Sequence, residues 1–217
     1  MRSRARGLHV FHQRDIYMNK LFAGASVALL LLAACGPTAS ETASSAAETA
    51  ATPIAISVKT FDATVSFDPA NIANSKVAAT IRPSDLIVGF PGDYVASHPG
   101  TKFTSWEDDL INSTNFLDAG TYPTITFAST SVAPSGERSA KVTGDLTLKG
   151  VTKPITLDVT FAGEAASHPF GKVPAIGFSA TGVFKRSDFG LDYLLPGIVG
   201  DEVKVEIEGD FLQKTAS

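Results

Sequence analysis

The sequence is poor in the residues that build metal-binding and redox sites. Its 217 residues include one cysteine, Cys35, and four histidines. A single cysteine excludes a disulfide within the chain and a cysteine-rich metal site. Two of the histidines, His98 and His168, lie beyond the N-terminal segment, and each precedes a proline in a predicted loop. A histidine metal site needs partners held on a rigid frame, so we interpret both as residues of surface turns.

Motifs that would indicate catalysis are also missing. Gly-x-Ser-x-Gly, Walker and dinucleotide-binding glycine patterns do not occur in the sequence. Asp188-Phe189-Gly190 spells the magnesium motif of kinases, but no His-Arg-Asp or glycine-rich loop accompanies it. The acidic residues 107–109 lie at a predicted helix start, where the helix dipole favours negative charge. We therefore predict a protein that is not an enzyme and has no metal or cofactor of its own.

Basic residues become scarce once the N-terminal 34 residues are set aside. That segment holds five basic residues and one acidic residue, which leaves 13 basic against 21 acidic residues in the remainder. The resulting net charge of -8 repels phosphate backbones, and the basic residues form no stripe along the sequence. These features exclude nucleic acid as a partner.

The N-terminal segment has the pattern of an export signal. Met18-Asn19-Lys20 precedes the uncharged run LFAGASVALLLLAA, which ends at Cys35. This run is too short for a membrane span and is typical of a secretory signal peptide over residues 1–34. Met18 is a better start than Met1, so we interpret residues 1–17 as a stretch upstream of the true start.

The residues Leu32-Ala33-Ala34-Cys35 resemble a bacterial lipobox. The resemblance implies that Cys35 is lipidated and becomes the N-terminus. Several acyl chains on one cysteine suffice for stable membrane anchoring. Gly36 follows the cysteine, and the resemblance to Gram-negative lipoproteins then implies the periplasmic side of the outer membrane. The alternative is a simple secreted protein with a chance cysteine.

Composition divides the exported part into two regions. Residues 36–53, GPTASETASSAAETAATP, have no aromatic and no β-branched aliphatic residue. Such a segment cannot bury enough apolar surface to offset its ordering entropy. We therefore predict that residues 35–53, beginning with the lipidated cysteine, form a flexible tether and that residues 54–217 form the folded domain.

The folded part shows short alternating segments bounded by Gly, Pro, Asn or Ser. In GDLTLKGVTKPITLDVTF, residues 144–161, apolar and polar residues alternate on both sides of a break at residues 149–154. This pattern predicts a hairpin of two half-buried strands, whose apolar face either closes a core or lines a ligand space. The strands predicted in this way are Ile56–Phe67, Lys76–Ile81, Thr124–Val132, Ala140–Leu148, Ile155–Phe161, Ile176–Phe184 and Glu202–Phe211.

The exception is the segment 83–123, which reads as a long loop with one short helix. Trp106, Leu110 and Phe116 or Leu117 recur at roughly helical spacing, and Ser105 is a candidate N-cap. The sequence thus predicts an all-β sandwich or up-and-down barrel with one helix.

Four runs make the chain resemble the YceI family: EDDLINSTNFLDAGTYPTITFAST, VTGDLTLKGVTKPITLDVTF, GFSATGVFKRSDFGL and VGDEVKVEIEGDF. The matches are ordered and correctly spaced from about Phe61 to Phe211. The resemblance implies a lipocalin-like antiparallel β-barrel of about eight strands or slightly fewer, whose cavity binds a polyisoprenoid or a similar amphiphile. The family's usual opening strand is missing here. Either the barrel is short by a strand, or the end of the tether replaces it, or another subunit completes the barrel.

Alternation within such a barrel identifies the residues that line its interior. Gly144, Ala180 and Gly182 fall on the same face and would leave volume unfilled beside them. Arg186 either caps a turn together with Asp188 or lies at the cavity mouth near a ligand head group. The candidate ligand-binding residues are Ile125, Phe127, Leu146, Leu148, Leu157, Val159, Phe161, Ile176, Phe178, Phe184 and Arg186.

The expected function is therefore that of a membrane-tethered binding or carrier protein. Its ligand would be an isoprenoid lipid, for instance a quinone or a polyprenyl chain, held by burial of apolar surface. The alternative is a structural or interaction module of the envelope with a filled barrel. The sequence leaves the oligomeric state open, and a dimer is compatible with it.

The lipoprotein interpretation predicts a change in fractionation. Replacing Cys35 by Ser removes the site of acylation, so we expect the protein to move from the membrane fraction to the soluble fraction. Inhibition of lipoprotein processing should have the same effect on the unsubstituted chain. Unchanged fractionation of the Cys35→Ser variant would contradict the interpretation.

Overall fold

The computed structural model describes residues 9–13, 54–90, 92–196 and 198–213. The strands in these ranges are β1 (His9–Gln13), β2 (Ala55–Val58), β3 (Phe61–Phe67), β4 (Lys76–Ile81), β5 (Leu86–Gly89), β6 (Ile125–Gly136), β7 (Ser139–Leu148), β8 (Val151–Ala165), β9 (Ala175–Lys185) and β10 (Glu202–Gln213). The helices are α1 (Tyr94–Ser97), α2 (Trp106–Asn112) and the 3₁₀ helices η1 (Ile72–Asn74), η2 (Pro83–Asp85) and η3 (Arg186–Phe189).

Eight of these strands form a closed antiparallel barrel. Their order around the barrel is β1-β10-β9-β8-β7-β6-β4-β3, while β2 and β5 form a separate two-stranded sheet. From β6 to β10 each strand pairs with the next one in the sequence. This arrangement confirms the predicted lipocalin-like barrel.

The β7–β8 hairpin turns more tightly than the sequence indicated. Leu148 pairs with Val151, so the turn consists of Lys149 and Gly150 alone. Both residues have positive φ, 50° and 76°, as a two-residue hairpin turn of the I′ type requires. Pro154 lies within β8, opposite Asp145. The predicted break over residues 149–154 was therefore too long, because the proline is accommodated inside the strand.

The predicted strand Ile56–Phe67 is split in two. β2 pairs with β5, and the chain then bends at Lys59, whose N–H donates to the Asp85 carbonyl at 2.8 Å, before β3 enters the barrel. β5 itself lies within the segment predicted as loop. It is only four residues long, and its pairing with a distant strand leaves no local signature.

Helix α2 confirms the predicted helix and its cap, but it ends at Asn112, so Phe116 and Leu117 lie beyond it. The Ser105 side chain accepts a hydrogen bond from the Asp108 N–H at 3.0 Å. Helix α1 was not predicted, although Asp93 caps it in the same way by accepting from the Ala96 N–H at 3.1 Å. A four-residue helix has too little periodicity to stand out in the sequence.

The closing strand of the barrel comes from an unexpected place. β1 pairs with β3 from His9 opposite Phe67 to Gln13 opposite Ala63. On its other side, β1 pairs with β10 at only two positions, Phe11 with Gln213 and His12 with Leu212. None of the three expected alternatives describes this closure, since the strand belongs to the segment interpreted as lying upstream of the true start.

The core consists of three buried clusters, of which the smallest joins Val132 of β6 to Ala140 and Val142 of β7. Leu86, Leu117, Leu146, Leu148, Phe189 and Leu191 form one buried cluster, against which Leu110 of α2 packs. A second cluster joins Ala63 and Val65 of β3 to Ile176 and Phe211. Helix α2, the turn that follows it as far as Leu117, and η3 thus cover one end of the barrel.

The short ladder of β1 can be tested by removing one backbone donor. Proline at position 11 lacks the N–H and disrupts pairing in a strand, so Phe11→Pro should expose the edge of β3. We expect the amides of β3 to exchange hydrogen at least about tenfold faster, which corresponds to about 1.4 kcal/mol of lost protection.

The matched control is Phe11→Ala, which retains the backbone N–H and should leave the exchange of β3 closer to that of the unsubstituted chain. The β7–β8 hairpin serves as an internal reference, because its exchange should not change in either variant. Unaltered protection of β3 in Phe11→Pro would show that β1 does not stabilise the barrel.

Candidate functional site

The interior face of the barrel is set by strand register. Residues directly opposite each other in antiparallel strands point to the same face of the sheet. The pairs Phe127 with Leu146, Val159 with Ala180, and Phe161 with Phe178 therefore share the interior face. The predicted apolar lining residues that the structure brings onto this face are Ile125, Phe127, Leu146, Leu148, Leu157, Val159, Phe161, Ile176, Phe178 and Phe184.

Burial of these side chains is uneven. Leu146, Leu148, Leu157 and Ile176 are buried, whereas the other predicted lining residues are half-buried. The candidate set omitted the apolar residues of β10, although Val203, Val205 and Ile207 alternate with charged residues in the sequence. Ile207 lies opposite Ala180 on the interior face and is nevertheless 36% exposed. The lining is therefore incompletely buried at Ile207.

Aromatic side chains form a cluster at one end of the lining. The ring of Phe67 stacks on Phe161 with centroids 5.9 Å apart and meets Phe178 edge-on at the same distance. Phe178 also contacts Phe211 at 6.1 Å. Such pairs contribute roughly 0.5–1.5 kcal/mol each beyond area burial. Phe67 was not among the predicted lining residues, although the alternation of Phe61, Val65 and Phe67 in β3 carried the signal.

Gly144 and Gly182 were expected to leave free volume in the barrel interior, but they do not. A Cβ atom on Gly144 would collide with the ring of Phe127, and one on Gly182 would lie 2.5 Å from Cδ2 of Leu157. The neighbouring side chains therefore already occupy the space above both glycines. The expectation of unfilled volume at these two positions was wrong, because the cross-strand neighbours are large enough to lean over them.

Arg186 is buried, with 8% of its surface exposed, and it holds a loop together. Its Nε donates to the Gly200 carbonyl at 2.8 Å and its Nη2 to the Val199 carbonyl at 3.0 Å. Its Nη1 donates to the carbonyls of Leu191 and Tyr193 at 2.6 and 2.9 Å. The guanidinium thus ties together both ends of the segment 191–200.

The charge of Arg186 is stabilised only partly by carboxylates. Burial lowers the pKa of Arg186 from its ordinary value, and the carboxylates of Asp201 and Asp192 oppose that shift. Asp201 itself accepts hydrogen bonds from the N–H and hydroxyl of Ser187 at 2.9 and 2.8 Å. The backbone N–H of Ser187 is the main cause that lowers the pKa of Asp201. This geometry matches the interpretation in which Arg186 caps a turn, and not the one that places it at the cavity mouth. The neighbouring acid is Asp201 rather than Asp188.

The other titratable residues that were considered as site candidates make contacts within the fold. His98 stacks on Tyr94 with centroids 4.5 Å apart, and His168 accepts from the Gly171 N–H through Nδ1 at 3.1 Å. Asp108 accepts from the Thr104 N–H at 2.9 Å, which lowers its pKa. Across the described ranges, no group of three or more His, Cys, Asp and Glu residues is close enough to hold a metal ion.

Cys35 and the predicted tether lie outside the described residues. The predicted signal peptide also lies outside them, apart from the strand β1. In the part of the chain that the structure describes, no helix has the length and apolarity needed to span a membrane.

These features define the class of the protein: a lipocalin-like antiparallel barrel with an apolar lining. A family model described as the YceI-like domain matches residues 36–211. The chain belongs to the YceI family.

Named relatives agree with this assignment. The chain is 36% identical over 156 residues to a UPF0312 protein of Pseudomonas savastanoi pv. phaseolicola, with 72% of each chain covered. A UPF0312 protein of Ectopseudomonas mendocina is 37% identical over 152 residues, covering 70% of this chain and 71% of the relative.

Two solved structures share the fold. The crystal structure of the Campylobacter jejuni YceI protein is 27% identical with a TM-score of 0.57, covering 76% of this chain and 87% of that one. BcnA of Burkholderia cenocepacia is 30% identical with a TM-score of 0.55, covering 74% and 87%.

The loop-binding role of Arg186 predicts a loss of stability. Arg186→Ala leaves four backbone carbonyls without their donor, so we expect the free energy of unfolding to fall by about 2–4 kcal/mol. Arg186→Lys should recover only part of this loss, because an ammonium group cannot reproduce the planar fork of the guanidinium. Urea denaturation monitored by circular dichroism measures both values.

The control is the neighbouring Lys185→Ala, which removes an exposed cation and should change stability by less than about 0.5 kcal/mol. If Arg186→Ala were as stable as the control, the loop would not depend on the guanidinium.

Proposed function

We propose that this protein is a non-enzymatic binding protein that holds an isoprenoid lipid, such as a quinone or a polyprenyl chain, inside its barrel. The observation that supports this most directly is the incompletely buried apolar lining. Phe127, Val159, Phe161 and Phe178 are half-buried on the interior face, and Ile207 is 36% exposed there. When an apolar ligand covers apolar side chains that are accessible inside a barrel, the free energy of the complex falls.

Burial supplies the affinity in this proposal. Each Å² of apolar surface removed from water contributes roughly 25 cal/mol, and an isoprenoid chain is apolar along its whole length. A cavity lined by aliphatic and aromatic side chains with few polar groups is the kind of site that takes such a ligand. The interior lining needs no catalytic group for this role.

The proposed setting is the cell envelope. The predicted signal peptide and the lipobox-like residues before Cys35 support export and lipid attachment, and we place the barrel on the periplasmic side of the outer membrane. Cleavage before Cys35 removes β1, so the barrel in this setting consists of the strands β3, β4 and β6 to β10. A tethered carrier could exchange an isoprenoid with the adjacent bilayer. The net negative charge of the exported part does not support nucleic acid as its partner.

A second candidate function is a ligand-free structural or interaction module of the envelope. The observation that favours it is the filling of space at Gly144 by Phe127 and at Gly182 by Leu157. Large residues beside small ones can form a packed taper in a small barrel. The two candidates differ in whether the region around Val159, Phe178 and Ile207 is filled by side chains or by a ligand.

A cavity-filling variant separates the two functions. Val159 is half-buried and lies opposite Ala180, so Val159→Phe adds volume inside the barrel. If a ligand occupies this space, the affinity for a dansyl-labelled geranylgeranyl probe should fall about tenfold, or about 1.4 kcal/mol, while the fold persists. Fluorescence titration and thermal unfolding measure the two quantities.

The matched control is Thr160→Phe, which places the same side chain on the exposed outer face of the same strand. It should bind the probe as the unsubstituted protein does. A packed interior predicts another outcome: Val159→Phe would lower stability by roughly 1–3 kcal/mol through overpacking, and the unsubstituted protein would bind no probe. Mass spectrometry of lipids extracted from the purified full-length protein provides an independent check.

A further inference from the structure

A cleft of about 310 Å³ is formed entirely by residues outside the barrel strands. The residues that line it come from α1 and the loop after it, from α2 and the turn after it, and from Tyr193 in the segment that Arg186 binds. A volume of this size takes a small ligand. The cleft contains none of the residues predicted to line the barrel interior, so it is separate from the proposed lipid site.

Asp109 gives the cleft a negative charge. This residue of α2 is half-buried, and it is the only acidic residue among the described residues that line the cleft, which include no lysine or arginine. None of the ion pairs within the described ranges includes Asp109. A carboxylate that is partly removed from water attracts a cation more strongly than an exposed one. The cleft therefore favours a positively charged ligand.

Tyr94 fixes the position of this carboxylate. Its hydroxyl donates to Oδ2 of Asp109 at 2.9 Å, and Tyr94 is only 4% exposed. Its ring stacks on His98 with centroids 4.5 Å apart and meets Trp106 edge-on at 5.0 Å. Burial raises the pKa of Tyr94, and Asp109 raises it too, so the hydroxyl stays protonated and continues to donate. The wall that carries Asp109 is therefore preformed.

Two further aromatic rings, Phe103 and Tyr193, line the same cleft. Tyr193 is 43% exposed and packs edge-on against Phe116 with centroids 5.4 Å apart. Aromatic faces attract organic cations, and they recognise alkylated ammonium groups in particular. The ammonium of Lys102 lies 5.0 Å from the centroid of Phe103, although Lys102 does not line the cleft. The cleft thus combines aromatic rings with one oriented carboxylate.

We propose that this cleft is a binding site for a small organic ammonium ion. Asp109 neutralises the charge of the ligand, and the rings of Phe103 and Tyr193 contact its alkyl groups. A divalent metal ion fits less well, because such ions take about six or more oxygen ligands and the cleft supplies a single carboxylate. The site does not depend on lipid binding in the barrel.

An uncharged isostere tests the role of charge. Trp106 is the only tryptophan of the chain, and its ring lies 5.0 Å from both Tyr94 and His98, so its fluorescence reports on the cleft. We expect choline to bind the full-length protein at least about tenfold more tightly than neohexyl alcohol, in which carbon replaces the nitrogen. Fluorescence titration and calorimetry at constant ionic strength measure both affinities.

Three results would overturn the proposal. The first is equal binding of choline and neohexyl alcohol. The second is the same fluorescence change with sodium chloride as with choline. The third is choline that produces neither a fluorescence change nor heat.

A variant of Asp109 tests the residue that carries the charge. Asp109→Asn keeps a side-chain oxygen that can accept from Tyr94, so the fold should persist in thermal unfolding, while the affinity for choline should fall at least about tenfold. The matched control is Asp192→Asn, which removes the same charge from an exposed residue beside Tyr193 that does not line the cleft. Its affinity should change less than about twofold, because exposed charges are screened. Equal losses in both variants would contradict the site.

Tyr193→Leu provides a test that does not alter the carboxylate. It removes an exposed ring but keeps the backbone carbonyl that accepts from Arg186, so we expect choline to bind about threefold more weakly and neohexyl alcohol to bind as before. Unchanged choline affinity would exclude the ring from the site. A comparison of choline with glycerophosphocholine then identifies the source of the ammonium group, because the tighter ligand indicates either a free compound or a lipid head group.

Discussion

Antiparallel hydrogen-bonded pairing from β6 to β10 determines which side chains line the barrel. Because directly paired residues share a face, one register places Phe127, Leu146, Leu157 and Phe178 inside together. A slip by one residue would turn every one of them outward. The two-residue turn at Lys149 and Gly150 fixes this register between β7 and β8, and its positive φ angles allow the strands to pair up to Leu148 and Val151.

Burial of the interior side chains is uneven along the barrel. At one end, Phe189, Leu117 and Leu146 form a dense cluster beneath the helical segment, and Arg186 binds the adjoining loop. Along β10 the lining is accessible to solvent at Ile207. Burial is thus greater in that cluster than at Ile207.

The N-terminal strand β1 contributes little to the closure of the barrel. The match to the YceI-like domain covers residues 36–211, and β1 lies outside it. β1 meets β10 at two positions only, so the barrel depends mainly on the strands from β3 to β10. The outer face of β10 carries five exposed charged residues from Glu202 to Asp210, which keep that face solvated.

By itself, the sequence determined the fold class, most barrel strands and the apolar lining. Period-two alternation is a local property, and a half-buried strand such as Ala140–Leu148 displays it directly. Helix α2 was predictable for the same reason, since Ser105 and the acidic first turn are adjacent in the chain. The motif segments between Phe61 and Phe211 identified the family, which the alternation pattern alone could not do.

Only the tertiary structure decided what depends on residues distant in the sequence. The space above Gly144 and Gly182 is filled by Phe127 and Leu157, a property of cross-strand packing that composition does not encode. The partners of Arg186 are backbone carbonyls, which leave no trace in the sequence. Closure by His9–Gln13 and the pairing of β2 with β5 are non-local as well. Local patterns report which face of an element is apolar, whereas long-range pairing determines what covers that face.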